Sequence, residues 1–388
     1  MKIVDVNTIV VGAPWRELTY VELITDDGLR GLGEARMLNK TDTLLACVNE
    51  LAHRYVIGSD PFDVERLGVR ARIEEYGRAG EVTQTALAMF DVACYDLMGQ
   101  ALGVPVWRLL GGASRQRVPA YANGWYQGER SPESYARLAE GVLARGYRRL
   151  KVDPFGAASA ELSHGQLREA VDIVAAIRDR IGPDAELMIE MHGRFTAATA
   201  VAAARALEPY RPEWIEEPVA PYYPAALRQV RAGTTLPIAT GERVHDLPEF
   251  RELFESGVVD VVQADLTHLG GLTALRKLAG WAEAYGVLMA PHNVCGPAGT
   301  AANLHFAIAC ANYKVLEHFN DFADPWLFDV VIGAPRVEQD GCFALPTEPG
   351  LGVRLDRERA AEHPRTGAHF NLFRDGWERR NEVDRADA

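Results

Sequence analysis

The sequence is poor in the features that mark a secreted, membrane-spanning or nucleic-acid-binding chain. It has five cysteines, Cys47, Cys94, Cys295, Cys310 and Cys342. Their number is odd, they are scattered and no CxxC occurs, so neither a disulfide framework nor a thiolate metal site is indicated. Reduced, buried thiols in a cytoplasmic protein are the expectation. No apolar run approaches the ~20 residues of a spanning helix. The opening MKIVDVNTIVVGAPW is broken by Asp5 and Asn7 and carries no cleavage signature. Positive charge is also scarce, with 41 Lys and Arg against 54 Asp and Glu, for a formal charge of −13. Nucleic acid and anionic membrane both need a basic face, which removes them as main partners. A small anionic ligand stays compatible if cations gather locally in a pocket.

Apolar residues make up 48% of the chain and charged residues 24%, as in a folded globular protein. Residues 1–115 read as α+β. KIVDVNTIVV alternates as a strand, and LTYVELITDDGLRGLGEA reads as a hairpin turning at Asp27-Gly28. Two amphipathic stretches follow, and then the long apolar helix VTQTALAMFDVACYDLMGQAL. Gly111-Gly112 marks the boundary. From residue 116 to 336 short apolar runs alternate with helical segments. The runs are VPAYA, YRRLKV, ELMIE, PEWIEE, LPIATG, VVDVVQA, GVLMAP and YKVLE. Strict alternation predicts a parallel sheet with helices outside, and eight runs fit a closed barrel. Residues 337–388 are turn-rich and end in a charged stretch, and are expected to pack back on the first region.

Polar residues recur at the ends of these runs. Glu190, Glu216, Glu242, Asp265 and His292 follow one another at steps of 26, 26, 23 and 27 residues, the length of one strand-plus-helix unit. Strand ends of a barrel converge on one face, where such barrels keep their active sites. Glu190, Glu216 and Glu242 offer only hard oxygen donors, which suits a divalent cation such as magnesium. Of Glu216 and Glu217 one alone can point inward, because strand neighbours alternate. Glu216, two residues after Trp214, is expected to be the inward one. Asp265 and His292 end adjacent strands, so the carboxylate can fix the imidazole and make His292 a general base.

Three residues stand off this rhythm. Lys151 ends the second run and can pair with a substrate carboxylate or act as a base. His192 lies two residues after Glu190 and can serve as an acid in the pocket, or bond to Arg194 as a loop residue. Glu317 ends the eighth run and can donate to a carboxylate oxygen if protonated. His245 is a weaker pocket candidate. Together these parts suit removal of a proton next to a carboxylate, with magnesium and a base stabilising the ene-diolate. An acid that protonates a β-hydroxyl then turns the reaction into loss of water. A metal-dependent hydrolase on a similar barrel would need His-x-His on the first strand, and VPAYANGW has none.

The chain resembles the enolase superfamily, mandelate racemase subgroup, over almost its whole length. The pieces are DDGLRGLGEA, FDVACYDLMGQALGVPVWRLLGG, LKVD, IEMHGRF, WIEEP, ATGER, QADLTHLGG, MAPHNVCGPAG, VLEHF and EPGLGV. The resemblance implies a modified (β/α)7β TIM barrel under an α+β capping domain built from both chain ends. It implies magnesium on Glu190, Glu216 and Glu242, an Asp265–His292 base dyad, Glu317 near the substrate carboxylate, and a homo-oligomer. Glu190-Met191-His192-Gly193-Arg194 is similar to the motif of acid-sugar dehydratases of the gluconate and galactonate type, where the His assists departure of the 3-hydroxyl. Racemases carry Lys-x-Lys where this chain has Lys151-Val152-Asp153. That favours dehydration of a sugar acid over the alternative, racemisation or epimerisation of a hydroxy or amino acid. Specificity is expected from loops 12–19 and 37–41, with Trp15, Arg16 and Trp125 as pocket candidates.

Overall fold

The first β-hairpin and its neighbour build a three-stranded antiparallel sheet from β1 (Ile3–Gly12), β2 (Glu17–Thr25) and β3 (Arg30–Ala35). The computed structural model describes residues 1–381. The last residues of the charged terminal stretch, 382–388, lie outside the described residues. Gly28 closes the β2–β3 turn at φ +87°. Helices α1 (Thr41–Leu51), α2 (Val64–Glu74) and α3 (Glu81–Leu102) cover the sheet. α3 is apolar on nearly every side because it is wedged between this sheet and the next layer. A short α4 (Val106–Leu109) follows.

Eight parallel strands come next: β4 (Arg117–Ala122), β5 (Arg149–Val152), β6 (Glu186–Glu190), β7 (Ile215–Glu216), β8 (Ile238–Thr240), β9 (Val261–Val262), β10 (Leu288–Met289) and β11 (Leu316–His318). The first seven are each followed by a helix: α5 (Pro132–Ala144), α6 (His164–Ile181), α7 (Ala197–Leu207), α8 (Pro224–Gly233), α9 (Phe250–Glu255), α10 (Gly271–Ala284) and α11 (Pro297–Ala309). Side chains start these helices where the sequence allows: Ser131 and Thr196 cap α5 and α7, and Ser163 with Gln166 forms a capping box on α6. The strand order is β10-β9-β8-β7-β6-β5-β4-β11, and a bridge between Met289 and Tyr313 joins the two ends. The result is the closed barrel that the alternating pattern predicts, in the (β/α)7β form that the resemblance implies.

The barrel interior is filled rather than open. Tyr121, Met188, Trp214, Ala239, Val261, Ala290 and Val315 form one buried cluster, supplied by seven of the eight staves. The remaining stave, β5, contributes Lys151, paired in register with Met188. A cation therefore stands where an apolar side chain would complete the plug.

The chain then returns. After α12 (Leu327–Val330) and β12 (Val331–Ile332), strand β13 (Cys342–Ala344) pairs antiparallel with β4, and β14 (Arg354–Leu355) pairs with β12. A short α13 (Arg357–Ala361) leads into the tail. His363 accepts from the Gly12 N–H at 3.0 Å, and Phe370 exchanges two hydrogen bonds with Asn39. Asp96 on α3 ties three parts together, accepting from the N–H groups of Leu32 at 2.9 Å and Leu351 at 2.8 Å. No helix among the described residues is long and apolar enough to cross a membrane.

Candidate metal and proton-transfer site

Glu190 and Glu216 end β6 and β7 as register partners, and Glu242 follows β8 after Gly241. One carboxylate oxygen from each lies within 4.8 Å of the others. The alternation of strand residues places Glu216 here and turns Glu217 outward to Arg243, whose Nε donates to it at 2.8 Å. Burial, and then the neighbouring Glu242, raise Glu217 to about 8. Burial also raises Glu190 and Glu216, and for Glu216 the neighbouring Glu190 adds to it. Glu190 Oε2 is enclosed and faces the Lys151 ammonium at 3.1 Å without a well-aligned hydrogen bond among the described residues. Three converging hard oxygen donors, too negative for their surroundings, fit a divalent cation.

Lys151 supplies one positive charge to this cluster. Its Nζ lies 2.5 Å from Glu216, 2.9 Å from Glu317 and 3.1 Å from Glu190. Burial disfavours the ammonium, yet Glu216, Glu317 and Glu190 outweigh that and hold Lys151 well above its ordinary value. An ammonium held charged in this way suits orienting an anion better than acting as a base, which must give its proton up first.

Glu317 differs from the expectation of a protonated donor. It accepts from Asn123 Nδ2 at 2.7 Å and from the Asn293 N–H at 2.8 Å, besides Lys151. Burial opposes ionisation, but Lys151 and His292 overcome it and the carboxyl is held below its usual range. With both oxygens accepting, Glu317 is arranged as an acceptor, and it stands behind Lys151 rather than in the cavity wall.

Two Asp–His pairs flank the carboxylates. His292 Nδ1 meets Asp265 Oδ2 at 2.7 Å, leaving Nε2 toward Glu242 at 3.5 Å. Asp265 is fixed in turn by the N–H and Oγ1 of Thr267, both at 2.7 Å. Burial opposes the imidazolium, but Glu242 and Asp265 hold His292 up at about 9. Glu242 itself is lowered to about 2; burial works against this, and His292 and Lys151 prevail. A cation bound to Glu242 cancels the largest influence that raises His292.

The second pair was not legible in the sequence. His192 Nδ1 meets Asp153 Oδ2 at 2.7 Å, and Arg194 bonds the same oxygen. Asp153 is buried, and its other oxygen accepts from the Phe155 N–H at 3.0 Å. His192 thus both enters the pocket and belongs to an Arg194 network. Burial pulls its pKa down against the pull of Asp153. Its backbone sits at φ +47°, left-handed and uncommon for a residue with a side chain, while its N–H donates to Glu190 at 2.7 Å. Gly193 follows at φ +59°, and a Cβ there would collide with the Arg243 guanidinium. The one signal for Asp153 was the acid standing at Lys-x-Asp, which reads as a lost base until its distance to His192 is known.

β6 and β10, which position His192 and His292, stand four staves apart in the eight-stave order, on opposite sides of the barrel. Between them lies a cavity of about 350 Å³ whose wall includes Lys151, Glu190, Glu242, His192 and His292. Its other wall comes from Trp15, Arg36 and residues 370–373, 377 and 380. Of the two expected loops, 12–19 contributes Trp15 and 37–41 contributes Leu38 to the cavity wall. Arg16 is buried with Nη1 bonded to Val294 O, and Trp125 donates to Lys151 O at 2.8 Å, so both act behind the wall. His245 lies outside the cavity wall, its N–H bonded to Glu249 at 3.2 Å.

Known proteins are similar to this chain in sequence and fold. A D-gluconate dehydratase of Thermoproteus tenax is 37% identical over 344 residues, covering 88% of this chain and 68% of that protein. A D-galactonate dehydratase of Ralstonia nicotianae is 35% identical over 372 residues, covering 94% of this chain and 95% of its own length. Among solved structures, a mandelate racemase/muconate lactonizing enzyme-like protein from a Roseovarius species superimposes with a TM-score of 0.88 at 32% identity, covering 94% of this chain and 96% of that one. Residues 9–111 match the mandelate racemase/muconate lactonizing enzyme N-terminal domain, and residues 134–360 match the enolase C-terminal domain-like family. The chain is a member of the enolase superfamily, in its mandelate racemase branch.

Proposed function

We propose that this chain is a magnesium-dependent dehydratase of a sugar acid, an aldonate or aldarate, giving a 2-keto-3-deoxy product. The observation that carries the reading is the pair of Asp–His dyads on opposite sides of one carboxylate cluster. Loss of water needs a base for the C2 proton and an acid for the 3-hydroxyl, and the cavity offers one imidazole for each. The relatives named as gluconate and galactonate dehydratases support the same reaction.

Glu190, Glu216 and Glu242 would hold the magnesium ion, which supplies positive charge to the substrate carboxylate as its α-proton leaves. Lys151 orients the same carboxylate with its ammonium. Asp265 keeps the His292 Nδ1 proton engaged, so Nε2 is the atom that takes the C2 proton. Asp153 does the same for His192 and stabilises the imidazolium that gives its proton to the departing hydroxyl. Glu317 holds Lys151 in place and charged. Capping elements within 1–115, a barrel over 116–336 and a returning segment over 337–388 divide the labour, with the cavity between them. A cytoplasmic homo-oligomer completes the proposal.

The test is keto-acid formation by the purified protein with magnesium on a broad panel of aldonic and aldaric acids. Product is expected from at least one of them. Exchange of the α-proton in heavy water with no loss of hydroxyl from any of them would refute dehydration and favour a racemase or epimerase.

A further inference from the structure

Arg380 is a buried cation in the cavity wall. Its residue is 4% exposed, and its Nη1 meets no acceptor among the described residues. It faces four rings instead, those of Trp15, Tyr126, Phe319 and Trp377, at 5.3 to 5.9 Å from their centres. Rings attract a guanidinium but satisfy none of its directed N–H bonds to oxygen. Arg36, just beyond β3, lines the same cavity, and its Nε is also buried without a partner among the described residues. A buried charge with an unsatisfied donor is costly, and among the described residues Arg380 is such a charge, while Arg36 is a half-buried cation on the same cavity whose enclosed Nε is unsatisfied. They come from the capping sheet and the C-terminal tail, whereas Lys151 and the three glutamates come from the barrel strands.

We infer that Arg380 and Arg36 form a subsite for a second anionic group at the far end of the substrate, so that the preferred sugar acid is a dicarboxylate, an aldarate. This rests on the dehydratase reading for the reaction and adds the substrate class. The barrel groups take the reacting carboxylate, and a guanidinium offers the fork that a second carboxylate accepts. The cavity volume of about 350 Å³ is at the small end for ligand sites and suits a six-carbon diacid. The relatives are named for monocarboxylate substrates, so a diacid preference would set this chain apart from their printed activities.

The experiment uses the full chain with magnesium. Keto-acid formation is measured on D-gluconate and D-galactonate, on the diacids D-glucarate and galactarate, and on 6-phospho-D-gluconate. Calorimetry measures binding of the same compounds. A diacid is expected to exceed its matched aldonate in kcat/KM by about tenfold or more, and Arg380→Gln to lower the diacid value about ten- to hundredfold more than the aldonate value. Arg36→Gln is expected to narrow the same ratio, and decides the matter if Arg380→Gln does not fold. Turnover of aldonates without diacid preference overturns the subsite and leaves the dehydratase reading standing. Preference for the phosphorylated acid over both diacids overturns the dicarboxylate assignment. If no compound is turned over, the dehydratase reading fails. Calorimetry then decides the subsite: diacid binding lost in Arg380→Gln upholds it, and absence of diacid binding ends it.

Discussion

Replacing Asp153 with Asn separates the two proton transfers. Asp153 Oδ2 accepts from His192 Nδ1 at 2.7 Å and also bonds Arg194, while Oδ1 accepts from the Phe155 N–H at 3.0 Å. The three acceptor demands can be met by a carboxylate but not by an amide, which must turn an NH2 toward one donor. Arg194 is buried, so removing its counter-charge leaves an uncompensated ion, at a cost of about 3 kcal/mol in stability. The larger effect falls on His192. Without Asp153 its imidazolium is less favoured and its ring is no longer fixed. General acid catalysis typically contributes about 10²–10⁴-fold, so dehydration should fall by a factor in that range. His292 stands across the barrel with its own Asp265 and should still exchange the C2 proton. The assay is one NMR time course in heavy water, following deuterium entry at C2 and keto-acid formation together. Exchange is expected to persist, within about twofold, while dehydration is lost. Equal loss of both, or unimpaired dehydration, would refute the division of labour between the dyads.

Glu216→Gln removes a proposed ligand and a partner of Lys151, and should weaken magnesium binding by more than the roughly 10–100-fold that changes behind a ligand cost; calorimetry of magnesium alone reads it, and unchanged affinity sinks the metal assignment. With the native chain, magnesium at about 100 times its Kd should raise unfolding stability by about 2.7 kcal/mol, an increment that a chelator abolishes in thermal melts. His305 is buried, its Nδ1 accepting from the Trp107 N–H at 3.2 Å and its Nε2 bonded to Leu351 O at 3.1 Å, and burial lowers its pKa from 6.5 to about 4. A His lowered on folding stabilises the fold above the unfolded value and loses that contribution as pH falls from about 6.5 to about 4. Up to about 3 kcal/mol should be lost across this window, and His305→Gln should flatten that slope in denaturant titrations. Gly193→Ala, strained at φ +59° and colliding with Arg243, should lower kcat sharply with little change in far-ultraviolet circular dichroism; full activity would show that the His192 turn tolerates displacement.

Spacing along the chain already carries the barrel and the acidic ladder, for one physical reason. A strand-plus-helix unit has a nearly constant length, so groups placed at successive strand ends repeat along the chain. Strand alternation likewise separated Glu216 from Glu217. The capping sheet was readable from its hairpin, with Asp27-Gly28 at the turn. What spacing does not carry is which side chains meet across turns and between chain ends. Asp153 and His192 are 39 residues apart and joined only because β5 and β6 are neighbouring staves and His192 adopts a left-handed backbone. Glu317 accepts from Asn123 and Asn293, donors 194 and 24 positions away in the chain, and that acceptor geometry is invisible in its own sequence neighbourhood. The cavity wall was decided still further from the sequence. Trp15, Arg36 and Arg380 lie at opposite ends of the chain and share one space because the tail returns over the capping sheet. Periodicity reports local geometry, and this wall is a product of long-range packing.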